Sequence, residues 1–133
     1  MIVVDTSVIV YVWFPGDRVE SVIELIKMDS DWHAPFLWRS EFRSFLAGQL
    51  RGNRISLETA RSMIAEAENF FHGKEHLVAS ADILELVSSS SCSAYDCEFV
   101  ALAKALRVPL VTADQKIVKA FPRWAVGIAD YVK

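Results

Sequence analysis

A chain of 133 residues has room for one hydrophobic core and suits a single domain spanning residues 1–133. A hydrophobic fraction of 53% without low-complexity tracts excludes a disordered or fibrous protein. The formal net charge of −3 excludes a globally basic surface for coating nucleic acid, so any phosphate contact must be local or carried by a bound cation.

Two cysteines, Cys92 and Cys97, are too few for a disulfide framework or a thiolate metal site. The expected compartment is reducing and cytoplasmic. The apolar N-terminal run lacks a basic leader and is interrupted by Asp5, so it reads as neither a signal peptide nor a membrane span.

In chain order, Ile2 to Asp5 reads as a short buried strand ending at a carboxylate. Thr6 or Ser7 offers a capping hydroxyl for a helix to Trp13, broken by Phe14-Pro15-Gly16-Asp17. A second helix fits Arg18 to Met28, with Val19, Val22, Ile23 and Ile26 at helical spacing. Trp32 to Pro35 is extended, and Leu37 to Leu50 is a helix whose stripe is Leu37, Trp38, Phe42, Phe45, Leu46 and Leu50. Ser56 caps a helix to about Phe71, His76 to Ala79 is a brief extended link, and a helix follows through Val87. Ser93-Ala94-Tyr95-Asp96 matches a capping box that opens a helix to about Leu106, with Tyr95, Phe99, Leu102, Ala103 and Leu106 facing inward. Val108 to Thr112 is a buried strand followed by Asp114, then come a helix over Gln115 to Phe121 and a strand over Trp124 to Ile128. Alternating strands and helices predict an α/β fold with a mostly parallel central sheet. Its strand ends would bring Asp5 and the turn from Thr112 to Asp114 to one edge.

Four acids are then out of place. Glu41 lies on the apolar arc of its helix, three residues after Trp38 and four before Phe45, while Arg39 and Arg43 point elsewhere. Asp96 flanks an inward stripe, and Asp5 and Asp114 end strands. Each has an ordinary alternative: Asp5 as a strand terminator, Asp96 as half of a capping box, Asp114 as an N-cap. Glu41 has the weakest, because an inward glutamate helps neither packing nor capping. Carboxylates gathered without a basic partner raise one another's pKa, and a hard divalent cation such as Mg²⁺ or Mn²⁺ resolves the conflict.

The ordered set Ile2-Val3-Val4-Asp5-Thr6-Ser7, Glu41, Ser93-Ala94-Tyr95-Asp96 with Ala101-Leu102-Ala103, and Pro109-Leu110-Val111-Thr112-Ala113-Asp114 resembles the PIN-domain nucleases, especially VapC-like toxins of toxin–antitoxin pairs. The resemblance runs over essentially the whole chain. It implies a three-layer α/β/α fold and a metal-dependent endoribonuclease with an acidic quartet at Asp5, Glu41, Asp96 and Asp114. An antitoxin partner and a homodimer are also implied. Two positions depart from the family: Ser88 to Cys92 stands where a glycine turn is common, and Gln115 follows the last acid.

On that reading Asp5, Asp96 and Asp114 would hold Mg²⁺ or Mn²⁺, with Glu41 as a direct or water-mediated ligand, and Ser7 and Thr112 would orient carboxylates. RNA phosphates would meet Arg39, Arg43 or Lys116, with Arg51, Arg54, Lys119 and Arg123 as further candidates, although each also fits a solvated charged face. Trp13, Trp32, Trp38 and Trp124 fit core packing better than base stacking. His33, His72 and His76 lack ligand spacing, and the stripe of Val19, Ile23, Ile26 and Trp38 could serve an antitoxin or dimer interface, although core packing is the simpler account of each residue. A receiver-type phosphoacceptor domain would need an acid pair after the first strand, where Asp5 is followed by Thr6. A catalytically silent RNA- or protein-binding module of the same fold is the other alternative.

Overall fold

A computed structural model describes all residues from Met1 to Lys133. Five short strands form one parallel sheet in the order β3-β2-β1-β4-β5. They are β1 (Ile2–Val4), β2 (Trp32–Pro35), β3 (Glu75–His76), β4 (Leu110–Thr112) and β5 (Ala125–Gly127). Every residue of β1, β2 and β4 is buried, which is the signature of strands covered on both faces. On one face lie α1 (Thr6–Trp13), α2 (Val19–Met28), α3 (Leu37–Arg51) and α4 (Leu57–Phe70). On the other, α6 (Ala94–Leu106) packs on the central strands and carries α5 (Ser80–Ser88). Two short helices, α7 (Gln115–Ala120) and α8 (Ile128–Tyr131), flank β5. The architecture is the three-layer α/β/α sandwich expected of the sequence, with the sheet wholly parallel.

The core is aromatic on the α1–α4 face. Trp32 and Trp38 are buried, with Trp38 stacked at a tilt on Phe71 and Trp32 edge-on to Phe70. Trp13 and Trp124 are half-buried, so the tryptophans serve packing. Burying rings of this size contributes about 1.5–3 kcal/mol each. A second device pins the β2–β3 edge. His33 Nδ1 lies 2.8 Å from His76 Nε2, one ring donating and the other accepting, and His33 Nε2 lies 3.0 Å from Asp31.

Several element boundaries differ from expectation for local reasons. Asp5, not Thr6 or Ser7, caps α1: its backbone is extended and its Oδ1 accepts from the Val8 N–H. β3 covers Glu75–His76 rather than His76 to Ala79, because Pro35 has no N–H and the chain turns into α3 directly after Phe36. β4 starts at Leu110 rather than Val108, as Pro109 offers only its carbonyl to Val3 N–H. β5 ends at Gly127, and Ile128 opens α8 instead of closing the strand. On α2 the apolar stripe is split. Val22 and Leu25 are buried, whereas Val19, Ile23 and Ile26 stay 43, 46 and 38% exposed, so the core expectation fails for those three. Tyr95 also leaves the predicted inward stripe, being 63% exposed in a first turn whose other residues, Ser93 and Ala94, face solvent too. No helix is long and apolar enough to cross a membrane.

Candidate active site

Strand connectivity fixes where a site can form. The chain leaves β1 toward β2 on one side and later returns to β4 on the other, so the order reverses between β1 and β4. The crevice beyond the carboxyl ends of those strands is the usual ligand position of an open α/β sheet. Val4 pairs with Val111, which brings Asp5 level with Thr112 one residue further along. The Thr112 hydroxyl donates to Asp5 Oδ2 at 2.5 Å and accepts from the Asp114 backbone N–H at 3.0 Å. Ser7 donates to Asp5 Oδ1 at 2.5 Å and accepts from the Ala113 N–H at 3.2 Å. Two hydroxyls thus tie the end of β1 to the turn after β4, and both bond the carboxylate they were expected to flank.

Asp5 is 6% exposed and no cation pairs with it. Burial raises its pKa from 3.8 to about 6, and the charge of Asp114 adds to the rise, against the bonds from Ser7, Thr112 and Val8. Glu41, on α3, is half-buried and accepts from the Thr6 hydroxyl at 2.7 Å. Its pKa is also raised, by desolvation first and then by the charge of Asp96. Asp96 sits in the first turn of α6, where Ser93 caps its backbone N–H at 3.1 Å. The reciprocal half of the capping box is not made, which leaves the Asp96 carboxylate without a hydrogen bond. Asp114 caps α7, its Oδ1 accepting from the Lys116 N–H at 2.9 Å.

The four acids therefore couple electrostatically as Asp5 with Asp114 and Glu41 with Asp96, and none forms a salt bridge. Two residues were not singled out in the sequence. Thr6 is one, and the run Asp-Thr-Ser was the available signal. The other is Glu98 on α6, whose pKa is raised by desolvation and by the charge of Glu41. Nothing in the periodicity marks it, because it lies two residues beyond Asp96 and off the inward stripe.

The donor set is hard oxygen throughout, which suits Mg²⁺ or Mn²⁺ rather than a soft metal. As the side chains stand, no three His, Cys, Asp or Glu residues enclose a common metal position. Asp5 turns both oxygens to hydroxyls and Asp114 turns one to its helix, while the Asp96 carboxylate remains free to move in. The chemistry of the donors fits a divalent ion; a finished cage is absent.

Arg39 was expected near phosphate, but its guanidinium is taken by Glu75 at 2.6 and 2.7 Å and by Glu68 at 2.6 Å. The guanidinium is therefore already paired with two carboxylates. Arg43 and Lys116 are exposed and make no salt bridge.

The model of the PIN domain matches residues 2–121. This chain belongs to the PIN domain family. A ribonuclease named VapC3 from Pyrobaculum aerophilum is 27% identical over 124 residues, covering 91% of this chain and 95% of the relative. Among solved structures, the protein PAE2754 of Pyrobaculum aerophilum superimposes with a TM-score of 0.77 at 17% identity, covering 98% of this chain and 92% of that one. The chain is thus a VapC-like PIN domain by sequence and shares its fold with that structure. Where glycine is common in this PIN family, the turn after α5 is built from serine. Ser90 donates to Leu86 carbonyl at 2.8 Å and accepts from the Cys92 N–H at 3.3 Å, which closes the turn without a left-handed residue.

Proposed function

We propose that this PIN domain is a divalent-metal-dependent endoribonuclease and the toxin of a toxin–antitoxin pair, acting in the cytoplasm. One observation carries the reading: Asp5 with Asp114, and Glu41 with Asp96, form two like-charged pairs with no cation to neutralise them, the first at the β1–β4 switch point. A structural role would have paired them, as it pairs Glu75. The resemblance to a named ribonuclease over most of both chains supports the same reading.

Asp5, Asp96 and Asp114 would hold one or two Mg²⁺ or Mn²⁺ ions, with Glu41 as a ligand directly or through water. Such an ion lowers the pKa of bound water and offsets charge on the phosphoryl group. The protein supplies position. Ser7 and Thr112 lock both oxygens of Asp5, Thr6 orients Glu41, and Glu41 or Asp96 accepts a hydrogen bond from the water aligned for in-line attack. Burial first, and then the neighbouring acids, raise the pKa of Asp5 and Glu41, a rise that a bound cation would offset. Lys116, next to the Asp114 cap, would meet a phosphate flanking the cut, with Arg43 as a further candidate.

An antitoxin would have an apolar recess among α1, α2 and α4 to fill. A cavity of about 230 Å³ is lined by Ile9, Val12, Trp13, Ile26, Trp32, Phe70 and Phe71, with Glu66 as its polar member. Its one α2 residue, Ile26, shares a helix face with the exposed Ile23 and Val19. An amphipathic antitoxin helix would lay apolar anchors there. Homodimerisation of the chain remains part of the proposal.

Calorimetry with Mn²⁺ and cleavage of total RNA with and without EDTA test the nuclease reading. Saturable Mn²⁺ binding with EDTA-sensitive cleavage is expected. Mn²⁺ binding without cleavage, or neither, would overturn it in favour of a silent RNA- or protein-binding module.

A further inference from the structure

We infer that the facing imidazoles of His33 and His76 form a proton-operated latch, which holds β3 to β2 with no added proton or one and releases it at the second. The inference is independent of the nuclease reading, since neither ring bonds any of the four acids. The tautomers follow from the partners. The Asp31 carboxylate can only accept, so His33 Nε2, 3.0 Å away, carries a hydrogen. Neutral His33 is then bare at Nδ1 and accepts across 2.8 Å from the His76 Nε2–H. A first proton leaves that bond in place. It adds to His76 Nδ1, or it adds to His33 Nδ1 while His76 changes tautomer and accepts at Nε2. A second proton puts a hydrogen on both facing nitrogens. No acceptor then remains between them, and two cations stand with ring centres 5.1 Å apart, the His33 ring buried.

The latch closes the weakest edge of the sheet. β3 is two residues long and β2 is its sole neighbour. The Ala34 N–H donates to the Lys74 carbonyl at 3.2 Å and the Phe36 N–H to the His76 carbonyl at 3.1 Å. An edge with so few bonds can open while the sheet stays folded. β2 remains in place, paired with β1 on its other side and covered by α6. Release carries Glu75 away from α3, so the Trp38 indole and the Arg39 guanidinium lose that acceptor.

Few other charges reach the pair. Lys74 lies 3.4 Å from Asp31 and shares it with His33. On α3, Arg39 is held by Glu68 and Glu75, and Glu41 by Thr6. On α4, Glu66 is held by Trp13, and His72, just after that helix, acts on Glu75. On α6, Asp96 and Glu98 act on Glu41, and Lys104 lines the cavity against α5. β1 sets uncharged Val3 level with His33. Burial first, and then the charge of His33, hold His76 below its ordinary 6.5. The latch is therefore closed above pH 6.5 and opens as the pH falls below it.

Amide hydrogen exchange, followed by NMR on the full chain from about pH 7 to pH 4 and corrected for the intrinsic rate, tests the latch. Protection of the Ala34 and Phe36 amides should fall by up to about tenfold per pH unit below the second step, the limit for one linked proton. The Val3 and Leu110 amides, bonded to Pro109 and Trp124 carbonyls, should stay protected. The Trp38 indole resonance should move together with the Ala34 and Phe36 amides. His76→Gln offers an amide that donates to His33 Nδ1 or accepts from it without titrating, so its two edge amides should keep their protection throughout. His76→Ala removes the partner and should leave them poorly protected even at neutral pH. His72→Gln, at an exposed ring outside the pair, should behave as wild type. Constant protection in wild type, the same acid loss in His76→Gln, or loss at Val3 and Leu110 together with the edge overturns the inference. If His76→Gln fails to fold, full neutral protection in His76→Ala overturns it and early loss supports it.

Discussion

Helix α3 carries two charged groups, two residues apart, with opposite fates. Arg39 reaches Glu75, whose side chain is 6% exposed and also accepts from Trp38 at 2.8 Å. Despite the burial, those bonds hold the Glu75 carboxyl below its ordinary value. Glu41 faces the sheet edge, receives one hydroxyl, and is pushed the other way by desolvation and Asp96. The same helix therefore supplies the base that neutralises an acid of β3 and carries an acid of its own that no base neutralises. The lesson is that burial alone does not distinguish structure from function. What distinguishes them is whether the fold also provides the counter-charge.

Substitutions at the two regions should separate activity from stability. The largest effect is expected at Asp5. Asp5→Asn should abolish metal-dependent RNA cleavage, read by loss of product on a gel, while raising stability at neutral pH. Folded Asp5 has a pKa of about 6 against 3.8 unfolded, so its stabilising contribution is complete below about pH 3.8 and is lost as pH rises through 6. That shift of about two pH units corresponds to about 3 kcal/mol in metal-free protein. Denaturant midpoints of the variant and wild type should accordingly diverge between about pH 4 and 7. A variant no more stable than wild type at pH 7 would break the comparison from its functional side.

Glu75→Gln breaks it from the other side. Removing one partner of a largely buried pair leaves Arg39 and Trp38 short of an acceptor and should destabilise the fold by about 3 kcal/mol. Mn²⁺ affinity of the folded variant should be unchanged by calorimetry. The sign with pH is reversed here: the contribution of Glu75 is present above its unfolded value and is lost as pH falls. Thr112→Val is intermediate, deleting the hydroxyl shared by Asp5 and the Asp114 N–H. It should weaken Mn²⁺ binding by about 10–100-fold with the fold retained. The smallest effect is assigned to Lys116→Ala, which should raise KM slightly and flatten the salt dependence of single-strand binding by about 0.7 in log–log slope.

The layered fold was legible because β1 and β4 are short apolar runs between helical periods, and that pattern has few alternatives. Asp5 and Asp114 were legible for the same reason, being strand-end residues, and Glu41 because an acid on an apolar arc has no local excuse. The rest depends on which helix covers which surface. Tyr95 matches a helical stripe yet sits in a turn that faces solvent, and Ile23 and Ile26 match one that only Val22 and Leu25 bury. Periodicity specifies a face of a helix but not how far the neighbouring layer extends beneath it. The pairing of Arg39 with Glu75 was hidden on a similar ground, since Glu75 lies far along the chain and its approach required β3 to pair with β2.

The hydroxyl bridge from Thr112 to Asp5 spans 107 positions of sequence. Contacts of that separation form late and depend on the intervening chain being present. A ribosome must therefore release the chain through β4 before the two strand ends can meet. An emerging or truncated chain carries Asp5, Glu41 and Asp96 without the partner strand that organises them. On the proposed nuclease reading, such a chain would leave the RNA around it uncut until β4 has joined the sheet.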